Sequence, residues 1–114
     1  MKAELDLIIT MINEKKGEDV LLVDIDEGTH PIADNIIVIS ASNSIHLKAL
    51  VDAILRFFKK NKNETLKQLD YIGVSGKPES KWVILDFNNV LIHIMEKEIR
   101  EQYDFDNLFA DYEN

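Results

Sequence analysis

Asp24, Asp26 and Asp86 are the residues best placed by type and spacing to do chemistry. Asp24 and Asp26 stand two apart in the β-prone run Val20-Leu21-Leu22-Val23-Asp24-Ile25-Asp26, so an extended backbone points both carboxylates to one face. Joined by Asp86 from another strand, they would form a three-carboxylate magnesium site suited to nucleotidyl transfer. Enzymes of that kind usually hold the acid pair downstream of a phosphate-binding Gly-Ser turn, and no Gly-Ser precedes Asp24. Alternating acids on a strand more often mark a solvated face. A metal-dependent nucleotidyltransferase-like enzyme using Asp24, Asp26 and Asp86 is therefore the alternative reading.

The other chemical candidates are weaker. His30 lies beside a proline, His46 near a helix start and His93 in a strand run, and none falls in an H-x-x-x-H or H-E-x-x-H spacing. Ser75, in Gly73-Val74-Ser75-Gly76, lacks the glycine spacing of a nucleophile elbow. Gly73 and Gly76 do not make a dinucleotide loop, and nothing resembles a P-loop. With no cysteine, disulfides, thiolate nucleophiles and iron–sulfur ligation are excluded. No cofactor is expected.

Residues 3–15 carry Leu5, Ile8, Ile9 and Ile12 on one stripe, an amphipathic helix with Gly17 as its stop. Ile36–Ser40 is an unbroken apolar run of the kind found in a strand buried on both faces. Ser42-Asn43-Ser44 supplies capping oxygens for a second helix, in which Leu47, Leu50, Val51, Ile54, Phe57 and Phe58 recur at spacings of three and four. Asn61–Glu64 is a polar connection. Tyr71–Val74 reads as a weaker strand closed by Ser75–Pro78.

The most informative segment runs from Trp82 to Met95. Two β-prone stretches flank Asn88-Asn89, and asparagine tolerates the positive φ of a two-residue hairpin turn. In that register Phe87 faces Val90, Leu85 faces Ile92 and Val83 faces Ile94, one wholly apolar face for the core. The opposite face pairs Asp86 with Leu91, Ile84 with His93 and Trp82 with Met95. Four large apolar groups and two polar ones are too apolar for a solvated sheet and too polar for a comfortable core. A helix or a partner must cover it. The C-terminal stretch with Ile99, Tyr103, Phe105, Leu108 and Phe109 is one source of cover.

The 114 residues set one domain rather than two, since halves of that size could not each hold a core. The 46% apolar content supports a folded chain despite a net charge of −8, which argues against broad nucleic-acid binding. The charge is uneven. Arg56, Lys59, Lys60, Lys62 and Lys67 face only Glu64 within their stretch, whereas Glu96–Asn114 holds seven acids and two bases. The basic edge is either a dipole-matched helix end or a local RNA contact. No apolar run approaches the roughly 20 residues that span a bilayer, and the acidic N-terminus is unlike a targeting segment. A cytoplasmic protein is expected.

In order and spacing, several segments together resemble the ribosomal silencing factor (Iojap-like) family. They are Gly76-x5-Trp82-Val83-Ile84-Leu85-Asp86, Val90-Leu91-Ile92-His93-Ile94-Met95, Arg100-x2-Tyr103 and Leu108-Phe109. Upstream, Gly17-Glu18-Asp19-Val20 with Asp24, Ala33–Val38 and Ser42-x-Ser44-x-His46 continue the match over residues 3–110. The family usually has Gly-Asp where this chain has Asn88-Asn89, and Leu-Trp where it has Leu108-Phe109. Both changes preserve the physical job, a tight turn and an aromatic anchor.

The resemblance implies an α/β fold with a mixed β-sheet and flanking helices, related to nucleotidyltransferases but lacking their catalytic residues. It implies one domain over 1–110 with a short acidic tail at 111–114. It further implies a non-enzymatic protein, often a homodimer when free, that binds the large ribosomal subunit through its L-fourteen protein. There it blocks subunit joining and represses translation when nutrients are short. Trp82, Ile84, Asp86, Leu91, His93 and Met95 are then the expected docking residues, with Trp82 foremost and Asp86 available to a basic group. A peripheral contact with ribosomal RNA would fall to the Arg56–Lys67 edge.

Overall fold

The structure, a computed structural model, describes residues 2–24, 34–104 and 107. Helix α1 (Lys2–Glu14) leads into strand β1 (Glu18–Asp24), and β2 (Asn35–Ala41) precedes the long helix α2 (Ser44–Asn61). Strand β3 (Gly73–Lys77), a 3-10 turn at Pro78–Ser80, β4 (Trp82–Asp86), β5 (Val90–Glu96) and α3 (Lys97–Tyr103) follow. The five strands form one sheet in the order β1-β2-β5-β4-β3. Among the described residues only β2 and β5 run parallel; the other neighbours are antiparallel. The mixed α/β architecture expected from the sequence is the observed one.

Apolar period decides which side each element faces. Strand β2 is buried at every position because it is central and covered on both faces. On one face, Ile37, Ile39, Val83, Leu85, Phe87, Val90, Ile92 and Ile94 pack against Leu5, Ile8 and Ile12 of α1 and Leu47, Leu50, Ile54 and Phe58 of α2. A smaller cluster of Val23, Ile36, Val38 and Met95, with Leu21, Trp82, Leu91 and Ile99 at its border, occupies the other face.

Helix α2 starts as its capping residues suggest: Asn43 Oδ1 accepts the His46 amide at 2.9 Å. The end of α1 differs from expectation. Lys16, not Gly17, takes the left-handed conformation (φ 64°). Gly17 is needed for closeness instead, since a Cβ there would stand 2.9 Å from Ile39 Cγ2 and closer still to Ile12.

The hairpin has the expected register, with Leu85 opposite Ile92 and Val83 opposite Ile94, and Asn88 at φ 70°. The third strand is displaced from its expected place. It runs through Ser75-Gly76-Lys77 rather than ending there, because Gly76 (φ 82°) lets the backbone pass against Trp82 where a Cβ would strike the carbonyl. Past the polar connection at residues 61–64, the chain returns to the core before β3. Leu66 and Leu69 are fully buried and close the end of the main core. Ile25, Asp26, His30, Phe105, Leu108, Phe109 and the 111–114 tail lie outside the described residues.

Candidate functional site: the second face of the hairpin

Strand alternation puts Trp82, Ile84 and Asp86 of β4 on the same side as Leu91, His93 and Met95 of β5. The six expected docking residues therefore share a face, but they do not share an environment. Met95 has no exposed surface, and His93 retains 9%. Trp82, Ile84, Asp86 and Leu91 are half-buried. The difference comes from helix α3, which folds back over the β5 end of the face.

Arg100 is the anchor of that helix. Its guanidinium Nη1 donates to the Asp19 carbonyl and, at 2.9 Å, to Ser40 Oγ, so a buried cation ties α3 to β1 and β2. Lys97, at the start of α3, pairs with Glu18 Oε1 at 2.9 Å, and Ser42 Oγ donates to Glu18 Oε2 at 2.8 Å. The Lys97 hydrogen bond, seconded by Ser42, holds the Glu18 carboxyl below its usual range, and the same bond to Glu18 raises Lys97. With its start and middle fixed, α3 brings the Tyr103 ring to 5.4 Å from the Trp82 ring. Tyr103 itself stays 55% exposed.

His93 is a hydrogen-bond partner of Trp82. The indole Nε1–H donates to His93 Nδ1 at 3.2 Å. Burial depresses the imidazole to a pKa of about 4, so at neutral pH it is uncharged and can accept at Nδ1, with its proton on Nε2. The open part of the face includes a shallow hollow walled by Ser75, Gly76, Ser80, Trp82 and Ile84. Strand β3 supplies one wall of it, a contribution the hairpin alone did not reveal. Gly76 was visible in the sequence as a motif residue, but its role here, letting β3 close against Trp82, depends on the fold.

Asp86 and Asp24 have local duties. Asp86 Oδ1 accepts the Asn88 amide at 2.8 Å and holds the hairpin turn. Asp24 Oδ1 accepts from the Asn35 side-chain amide across β1 and β2. The carboxylate site of the alternative reading is not assembled from Asp24 and Asp86. Strand parity places Asp24 on the α1–α2 side of the sheet and Asp86 on the opposite side, with β2 and β5 between them. Three strand spacings are about 14 Å, far beyond the roughly 2 Å ligand distances of magnesium. Asp26 lies outside the described residues.

An apolar hollow backed by an oriented indole thus lies on one face of a mixed α/β sheet. The family model described as "Ribosomal silencing factor during starvation" matches residues 1–114. The chain belongs to the ribosomal silencing factor family. It is 28% identical over 108 residues to ribosomal silencing factor RsfS of Haemophilus influenzae, covering 95% of this chain and 99% of that one. It is 27% identical over 110 residues to the Bacillus subtilis RsfS, covering 96% and 87% respectively. A mouse protein named for mitochondrial assembly of the large ribosomal subunit is 23% identical over 109 residues, 96% of this chain but 46% of the mouse protein.

Among solved structures, a Chromobacterium violaceum crystal structure superposes with a TM-score of 0.80 at 23% identity, covering 96% of this chain and 85% of that chain. One from Bacillus halodurans gives 0.75 at 18% identity, covering 95% and 94%. These two carry the fold. The family is named for a regulatory role, not for a reaction. Among the described residues no helix is long and apolar enough to cross a membrane.

Proposed function

We propose that this chain acts without catalysis, by docking on the large ribosomal subunit through that subunit's L-fourteen protein. Bound there, it keeps the small subunit from joining and lowers translation when nutrients are short. It works in the cytoplasm and is a homodimer when free. The observation that carries the reading is the half-open Trp82: its N–H is already satisfied by His93, so it offers a partner an apolar ring fixed in orientation. An oriented aromatic of this kind costs little entropy to bury and is the commonest type of interface hot spot. Ile84 extends the apolar floor, and Tyr103 forms an exposed aromatic rim beside it.

Co-sedimentation with purified large subunits, followed by a subunit-joining assay, tests the reading. The wild-type chain should sediment with large subunits and reduce joining, and Trp82→Ala should do neither. Equal sedimentation of both chains would remove the hollow as the docking site. Heat on titration with magnesium and ATP, without subunit binding, would count against a role free of catalysis.

A further inference from the structure

The C-terminal end of α2 carries a surface whose charge opposes that of the rest of the molecule. Residues 48–70 hold six basic and three acidic side chains, whereas the remaining chain holds seven basic and eighteen acidic. Two of the three acids in the stretch are engaged. Asp52 lies 3.9 Å from Lys48, and Asp70 lies 3.3 Å from Lys62. Lys62 has a structural duty as well, since its ammonium also donates to the Lys67 carbonyl at 3.2 Å and sits over the Phe58 ring.

That leaves Arg56, Lys59, Lys60 and Lys67 exposed and, among the described residues, outside any ion pair. Arg56, Lys59 and Lys60 are three and four apart, so they form one stripe on the solvent side of the helix, opposite buried Leu50, Ile54 and Phe58. Such a stripe exceeds what the half-charge of the helix C-terminus would balance. The stripe itself carries no aromatic or large apolar group, which suits phosphate groups rather than bases, acyl chains or an apolar protein pocket.

We propose that this end of α2 contacts the phosphate backbone of RNA, without reading its sequence. The proposal rests on the ribosomal reading above, which places RNA within reach of the docked protein. The patch is remote from the hollow. Phe58 packs 4.7 Å from Phe87, next to the hairpin tip, whereas Trp82 is at the far end of β4 on the other face of the sheet. Changes in one therefore leave the other intact.

Fluorescence anisotropy with a labelled RNA stem-loop at low salt decides it. The wild-type chain should bind, and Lys59→Glu/Lys60→Glu should weaken binding at least tenfold. The variant should also flatten the dependence of log affinity on log salt by about two units, one per lost phosphate contact. Lys59→Gln/Lys60→Gln, which keeps helical propensity without adding acids at the helix end, should give an intermediate loss with an unchanged circular dichroism spectrum. No binding by the wild-type chain, equal binding by all three, or equal binding to vesicles containing phosphatidylserine would each overturn the proposal. Trp82→Ala should bind the stem-loop normally, so a failure of the docking hollow is read separately, from subunit sedimentation alone.

Discussion

The indole N–H of Trp82 donates to Nδ1 of His93 at 3.2 Å, across the β4–β5 pair. The bond requires an unprotonated Nδ1, and burial holds the imidazole near a pKa of 4 against an ordinary 6.5. Between those values the unfolded chain binds a proton that the folded chain refuses. Stability is therefore full above about pH 6.5 and falls as pH drops toward 4, by about 3 kcal/mol in all. Urea unfolding of wild type and His93→Gln at pH 7.5, 5.5 and 4.5 checks this. The difference between the two chains should shrink on acidification; a constant difference would disprove the burial argument.

Trp82 and Met95 are cross-strand neighbours with opposite expected phenotypes. Trp82→Ala should weaken binding to large subunits about 30-fold, the scale of a 2 kcal/mol hot spot. Met95→Ala should instead lower folding stability by about 2–5 kcal/mol, because the side chain is wholly enclosed. Measured per folded molecule, its binding should be unchanged. Binding loss from Met95→Ala at full stability would mean that Met95 reaches the partner.

Asp86 should behave as a turn residue. Asp86→Ala removes the acceptor for the Asn88 amide and should cost about 1–2 kcal/mol in urea unfolding, while Asp86→Asn keeps an acceptor and should recover most of it. If both variants unfold like wild type yet fail to bind subunits, Asp86 contacts the partner directly.

Two glycines of β3 form an internal control. Gly73→Ala meets no atom within 4 Å and should change stability by less than about 0.5 kcal/mol. Gly76→Ala combines a φ of 82° with a collision at the Trp82 carbonyl and should cost about 2 kcal/mol or more. It should also disturb the hollow, read as a shift in Trp82 fluorescence. Equal midpoints for the two variants would contradict the close approach of β3 to β4.

Much of the fold was legible because its signals are local. The stripe of α1, the Asn43 cap of α2 and the apolar run of β2 each follow from neighbouring residues, as does the Asn88-Asn89 turn that sets the hairpin register. Where expectation and structure part, a distant segment decides. Strand β3 extends past Gly76 because β4 lies against it, and Leu66 and Leu69 are core residues because they close the end of a core built elsewhere. The candidate site was half legible. Alternation placed six residues on one face but could not say which of them stay open.

By itself the sequence determined the elements, the pairing of β4 with β5, the two-faced hairpin and the lack of any complete catalytic motif. It did so through period, turn chemistry and capping, which act over a few residues. Only the tertiary structure decided that Asp24 and Asp86 face opposite ways, that Met95 is enclosed, and that a buried His93 orients Trp82. The first turns on the order and register of the strands, and the enclosure of Met95 on where α3 lies, held by bonds from Arg100 to Asp19 and Ser40, partners 81 and 60 residues away. Contacts of that span have no period to read, because they depend on how separate elements fill one volume.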